Sequence, residues 1–156
     1  MPSIIPAISL VKGFEGFRAA PYLDSAGVPT IGFGSTHYPD GHAVTMRDAP
    51  ITETEALAFL GHGLWNTAAT LWQYVKTQPT TNQWSALCSI AYNVGVHTIA
   101  NSTLLRCFNQ CLPTEAAAHF VDWDKAAVDG RLVIIQGLLN RRLAEQRLFL
   151  TPDTEA

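Results

Sequence analysis

Methionine, charge and long apolar runs are all scarce in this chain. It holds 2 Met among 156 residues, and 15% of its side chains are Asp, Glu, Lys or Arg. No run of Lys and Arg occurs, and the net charge is −3. Nucleic acid, which a basic stripe would attract, is therefore not an expected partner. No apolar run approaches the ~18 residues of a membrane-spanning helix. The opening stretch, Met1 to Phe14, is apolar only in patches, lacks a basic start, and is broken by Pro6 and Lys12. It reads as a first helix and not as a secretion signal. The 3 cysteines are Cys88, Cys107 and Cys111. An odd count without an export signal argues against a disulfide framework. Cys107 and Cys111 stand four apart on an expected helix, with His119 further on, yet no known metal-ligand spacing is completed. Buried free thiols are expected, with no metal and no cofactor. His37, His42, His62, His97 and His119 follow no ligand spacing either and receive no role. There are no internal repeats and no low-complexity segments.

What the chain does have is a globular composition, with 47% hydrophobic residues. Its length suits one compact unit, residues 1–156, or two closely joined lobes. The informative stretch runs from Val11 to Gly34, VKGFEGFRAAPYLDSAGVPTIGFG. Glu15 sits there between Phe14 and Phe17 and between Gly13 and Gly16. Apolar neighbours disfavour a charged carboxyl, so they are expected to hold Glu15 protonated near neutral pH. Asp24 lies in Asp-Ser-Ala-Gly, which reads as a wet turn that keeps its charge. Two carboxyls in environments that push their pKa values apart form the pattern of an acid/base pair. Thr-Ile-Gly-Phe-Gly follows, and its glycines let backbone approach a ligand.

Glu15, eight residues, Asp24, five residues, Thr30, with Thr30 opening Thr-Ile-Gly-Phe-Gly and Tyr22 in place, resembles the phage-type lysozymes, the endolysins of the T-even phage lysozyme fold. Tyr92-Asn93-Val94-Gly95, Ser102-Thr103-Leu104-Leu105-Arg106, and Gly137-Leu138-x-x-Arg141-Arg142-x-x-Glu145 extend the resemblance over nearly the whole chain. One departure is Leu143, where the family often carries a charged residue after the paired arginines. The resemblance implies an α+β, lysozyme-like fold. A small N-terminal antiparallel sheet lobe, about residues 15–50, is joined by a long helix to a helical lobe, about residues 52–150. It implies Glu15 as general acid, Asp24 as base or charge stabiliser, and Thr30 as the holder of the attacking water. Arg141 would pair with the catalytic glutamate, while Arg142 is expected on an exposed helix face. Tyr92, Asn93 and Ser102 match positions that line the saccharide cleft, although Ser102 also reads as an N-cap.

The implied activity is that of a muramidase, cleaving the β-1,4 bond between N-acetylmuramic acid and N-acetylglucosamine in bacterial peptidoglycan. The resemblance also implies a monomer that stays in the host cytoplasm until a separate hole-forming protein admits it to the wall. Peptidoglycan is anionic, so the negative balance of the chain runs against binding by simple charge attraction. An inactive glycan-binding or virion structural module is one rival, against which an intact Glu15, Asp24 and Thr30 argue. A hydrolase for chitin is another, since the same carboxyls could serve it.

Periodicity and capping give the element expectations. A helix is expected from Pro6 to Phe14, and strands at Pro21–Leu23 and Val28–Phe33, with a third at His42–Val44. Thr52-Glu53-Thr54-Glu55 is a capping box that opens the long helix to about Lys76. Further helices are expected over 82–94, from Asn101 to about Cys111, from Thr114 through Trp123, and over 133–150. Packing after Thr52 should be wholly helical, and Thr151 to Ala156 should fray.

Overall fold

The computed structural model describes residues 1–153. Its first helix, α1 (Ile5–Glu15), carries Pro6 in the first turn and buries Ala7 and Val11. A two-stranded antiparallel sheet follows, β1 (Arg18–Leu23) and β2 (Pro29–Gly32). Tyr22 pairs directly with Thr30, and a bulge separates that pair from Arg18 opposite Gly32. The third strand expected at His42–Val44 is reduced to a single bridge, His37 to Ala43, while Ile31 bridges Ser35. The Gly41 N–H donates to the Tyr38 carbonyl, so the chain reverses there, and the Tyr38 and Val44 N–H groups donate to the His42 and Thr36 carbonyls on either side of the bridge.

The long helix is α2 (Glu53–Trp72), four residues shorter than expected. Its capping box is complete: the Glu55 N–H donates to the Thr52 hydroxyl, and the Thr52 N–H donates back to the Glu55 carboxylate. Ala56, Leu60, Leu64, Ala68 and Leu71 form its buried stripe. α3 (Thr81–Val94) starts from a second capping box, Thr80 with Gln83, one residue earlier than expected. It is buried from Trp84 through Ala91 without a break. A helix buried all round is the centre of a bundle, and α1, α2 and the last helix of the chain all pack on it. Three short helices follow: α4 (Val96–Ala100), α5 (Thr103–Asn109) and α6 (Pro113–Ala118). A 3₁₀ turn at Phe120–Trp123 replaces the second half of the helix expected from Thr114. The last helix, α7 (Gln136–Leu150), lies along α3.

Packing after Thr52 is not wholly helical. β3 (Lys125–Val128) and β4 (Arg131–Ile134) pair as an antiparallel hairpin, and β4 takes the residues expected to begin the last helix. The cause is the two-residue turn Asp129-Gly130, with φ of +49° and +75°. Positive φ at both central positions is the turn whose twist matches a tight hairpin. The expected fraying of the tail also fails for its first residues. Asp153 accepts from the Thr81 and Asn82 N–H groups at 2.7 and 2.9 Å, at the N-terminus of α3. The Asn82 amide donates to the Thr151 and Pro152 carbonyls. The remainder of the expected tail, 154–156, lies outside the described residues.

One apolar core unites the lobes. Phe33 of the sheet lobe enters it beside Ala7, Val11, Leu60, Trp84 and Phe149. Two strands cannot bury enough surface alone, so the sheet leans on the helices. Of the thiols expected to be buried, Cys88 is; Cys107 is half-buried and Cys111 exposed.

The bonds from the Asn82 and Thr81 N–H groups hold the Asp153 carboxyl below its ordinary range. A depressed folded value stabilises the fold above the unfolded pKa, and that contribution disappears as pH falls through the folded one. Asp153→Asn should therefore lower the melting temperature at about pH 7, and the gap to the parent should close in acid. Melting curves across pH check this; equal midpoints at neutral pH would contradict it.

Candidate active site

Glu15 is the last residue of α1. The C-terminal end of a helix carries partial negative charge, so a carboxylate there needs a cation. Arg141 of α7 supplies it, its Nη1 donating to Glu15 Oε1 at 2.6 Å. Of the apolar neighbours expected to enclose the carboxyl, Phe14 and Phe17 are 41% and 38% exposed. The Glu15 side chain is 28% exposed and lies between Arg141 and the backbone of Gly34. With Oε1 on the guanidinium, Oε2 is the oxygen that faces Gly34, where an added Cβ would stand 3.2 Å from it.

Asp24 follows β1 and turns back on itself. Its Oδ1 accepts from the Ala26 and Val28 N–H groups at 2.8 and 2.9 Å. This local turn fixes the carboxylate and leaves Oδ2 without a hydrogen bond among the described residues. Thr30 is buried on β2, and its hydroxyl donates to the Val28 carbonyl at 2.9 Å. The hydroxyl proton is thus used, while its lone pairs can still accept.

A cleft of about 750 Å³ brings Glu15, Asp24, Tyr92 and Asn93 together. Thr30 is not among its walls, although it sits in the strand pair beside Asp24. Ser102 is not on the cleft either, contrary to expectation. It caps α5, accepting from the Leu105 N–H and donating to the Ile99 carbonyl, and it borders a separate hollow of about 500 Å³. Residues given no part by the sequence complete the main cleft: His37, Tyr38 and Asp40 from the loop after β2, and Phe59, His62 and Asn66 from α2. The helical spacing 59, 62, 66 is the signal that could have found the second group.

The Tyr92 ring reaches the cleft across α2 because Gly63 has no Cβ, which would lie 3.1 Å from the ring. Burial and, after it, the Glu15 carboxylate raise the Tyr92 phenol above its ordinary value, with Arg141 opposing. Tyr92 therefore stays a hydrogen-bond donor. Behind the cleft, Arg142 is fully buried and not on an exposed face. Its Nη2 donates to Glu145 Oε1 at 3.0 Å, and Nε stands 2.7 Å from Oε2. Burial pushes the Glu145 carboxyl up and the Arg142 guanidinium down, and each opposes the other's shift. Among the described residues no group of His, Cys, Asp or Glu is arranged to hold a metal ion.

A small sheet braced on a helical bundle, with two carboxyls facing one cleft, is a lysozyme-like fold. The chain belongs to the phage lysozyme family, whose model matches residues 12–145. It is 37% identical over 140 residues to the endolysin of Acyrthosiphon pisum secondary endosymbiont phage 1, covering 90% of this chain and 92% of that protein. Among solved structures it is similar to the endolysin from Escherichia coli O157:H7 phage FAHEc1, with a TM-score of 0.87 at 33% identity over 94% of this chain and 91% of that one. The muramidase domain of SpmX from Asticaccaulis excentricus aligns with a TM-score of 0.85 at 31% identity, covering 97% and 100% of the two chains.

Gly34 has φ of +89°, which L side chains rarely adopt, and it shares its space with Glu15 Oε2. Gly34→Ala should cut turnover by ~10²-fold by displacing the carboxyl, while the protein still folds. Steady-state kinetics beside a melting curve check this, and near-parental turnover would show that Oε2 has room to spare.

Proposed function

We propose that this chain is an endolysin that hydrolyses the β-1,4 bond between N-acetylmuramic acid and N-acetylglucosamine in bacterial peptidoglycan, leading to host lysis. The observation that carries this reading is the pair of carboxyls on one cleft with different attachments. Glu15 has one oxygen tied to a guanidinium and the other open, and Asp24 has one oxygen tied to backbone and the other open. Membership of the phage lysozyme family supports glycoside hydrolysis as the reaction class.

In the proposed reaction Glu15 acts from its protonated form. With Oε1 accepting from Arg141, the proton resides on Oε2 and passes to the leaving glycosidic oxygen as the C1–O bond breaks. A water oxygen attacks C1, and Asp24 Oδ2 takes the proton it releases. Glu15 ends as carboxylate and Asp24 protonated, and exchange with solvent resets both. Thr30 would orient the water by accepting a hydrogen bond, since its own hydroxyl proton is donated to the Val28 carbonyl. Tyr92 and Asn93 would contact the sugar from the helical wall. A water lodged between carboxylate and sugar is the arrangement of an inverting enzyme, and inversion belongs to this proposal.

The proposal includes action as a monomer without cofactor. It also includes residence in the host cytoplasm until a separate hole-forming membrane protein gives access to the wall. Among the described residues no helix is long and apolar enough to cross a membrane.

Glu15→Gln should lose roughly 10²–10⁴-fold in activity while remaining folded, because an amide cannot deliver the proton. Clearing of permeabilised cells at the parental rate would overturn the assignment. Thr30→Val keeps the shape and β-branching of the strand residue and removes the hydroxyl. It should lose about 10²-fold in turnover by freeing the water, and Thr30→Ser should recover part of it. Full activity in Thr30→Val would leave Thr30 a packing residue.

A further inference from the structure

Behind Arg141 lies a closed polar cluster that the reaction above does not use. Glu145 is completely buried, as is Ser89 of α3. The Ser89 hydroxyl donates to Glu145 Oε1 at 2.7 Å. The same oxygen accepts from Arg142 Nη2 at 3.0 Å and from Arg141 Nε at 3.4 Å. Arg141 is itself only 5% exposed, and its Nη2 has no partner. Its guanidinium is therefore fixed at two points, Glu145 on the inner side and Glu15 on the cleft side. If the inner contact were lost, one hydrogen bond to Glu15 would remain, and a planar guanidinium held at one nitrogen can swing about it.

We propose that Glu145, anchored by Ser89, is a positioning residue for the reaction: it sets the Arg141 guanidinium from behind and, through it, the direction and electrostatic setting of the Glu15 carboxyl. The inference rests on Glu15 being the general acid. Geometry carries the first half of it, because Glu145 and Glu15 hold different nitrogens of one side chain. Charge carries the second. Arg141 and Arg142 are two cations, and Glu145 is the anion that faces both of them from within α7. Glu15, at the end of α1, is the other carboxylate on Arg141, and among the described residues α3 brings to the cluster the neutral Ser89 hydroxyl and the Tyr92 phenol. Neutralising Glu145 leaves the two arginines with one more uncompensated positive charge than in the parent. That excess favours the carboxylate form of Glu15, so the acid would lose its proton at lower pH.

The test is Glu145→Gln, which keeps the size of the side chain and its carbonyl acceptor. The alkaline limb of kcat/KM on purified peptidoglycan should move to lower pH by about one unit. Activity per folded molecule should fall, and KM should stay within about twofold, because nothing on the glycan is touched. Glu145→Asp retains the charge and should keep the limb at the parental pH. A merely structural role would reduce the amount of folded protein and leave the limb in place in both variants. An unmoved limb in folded Glu145→Gln overturns the inference. If Glu145→Gln does not fold, Ser89→Ala decides instead. It removes only the anchoring hydroxyl and should lower kcat several-fold at unchanged KM, and parental kcat in Ser89→Ala overturns the inference. Glu15→Gln separates the two levels: if it stays active, the proposed function itself fails, whereas an inactive Glu15→Gln with an unmoved limb defeats only the role of Glu145.

Discussion

The 2.6 Å bond from Arg141 to Glu15 joins parts of the chain 126 residues apart. It requires α1 to end at the cleft and α7 to run past it, with both helices set on α3. It also requires a guanidinium to be almost wholly withdrawn from water. A buried cation is costly unless it is paired and hydrogen-bonded, and the Glu145–Arg142–Ser89 cluster provides that setting. Removing one charged partner of such a buried ion pair costs on the order of 3–5 kcal/mol, since the other charge is left uncompensated. The last helix is thus committed at once to the core and to the site, which explains why three of its four buried residues, Arg141, Arg142 and Glu145, are charged.

The sheet lobe contributes the second carboxyl by a different route. Asp24 needs no distant partner, because the turn it sits in supplies two backbone N–H groups. What it needs is a fixed place relative to Glu15. β1 and β2 give that place, and Phe33, just beyond β2, pins the sheet by entering the helical core. The glycines at 34 and 63 then let the loop approach the Glu15 carboxyl and let Tyr92 lie against α2. The cleft is accordingly a seam between a locally determined turn and a long-range ion pair.

Local physics was legible in the sequence residue by residue, whereas long-range partnership was legible only where the family resemblance implied it, as for Arg141 and Glu15. The Thr52–Glu55 capping box, the buried centre of the bundle at α3 and the strand pair around Asp24 all follow from neighbours in sequence. Glu15, Asp24, Tyr92 and Asn93 were placed on the chain by motif, and the fold sets all four on one cleft. Arg142 could not be read in this way, because its burial depends on Glu145 and on what α3 places beside them. Ser102 failed for the opposite reason: its local capping role accounts for both of its hydrogen bonds. The hairpin at 125–134 was within reach. Asp129-Gly130 between short apolar runs is a strong hairpin signal, and it falls between the helix expected through Trp123 and the one expected from Val133. Asp153 escaped because a terminal carboxylate reveals nothing of the helix end it caps.

The central claim is that this cleft cuts a glycan by protonating the oxygen between two particular sugars. Chemical identification of the new ends tests it most directly. Purified peptidoglycan digested with the protein, then reduced with borohydride, would be analysed by mass spectrometry. The account predicts that the new reducing ends are N-acetylmuramic acid, recovered as the corresponding alditol, with stem peptides intact. Reducing N-acetylglucosamine, ring-closed anhydro ends, or newly freed peptide termini on uncut glycan would contradict it.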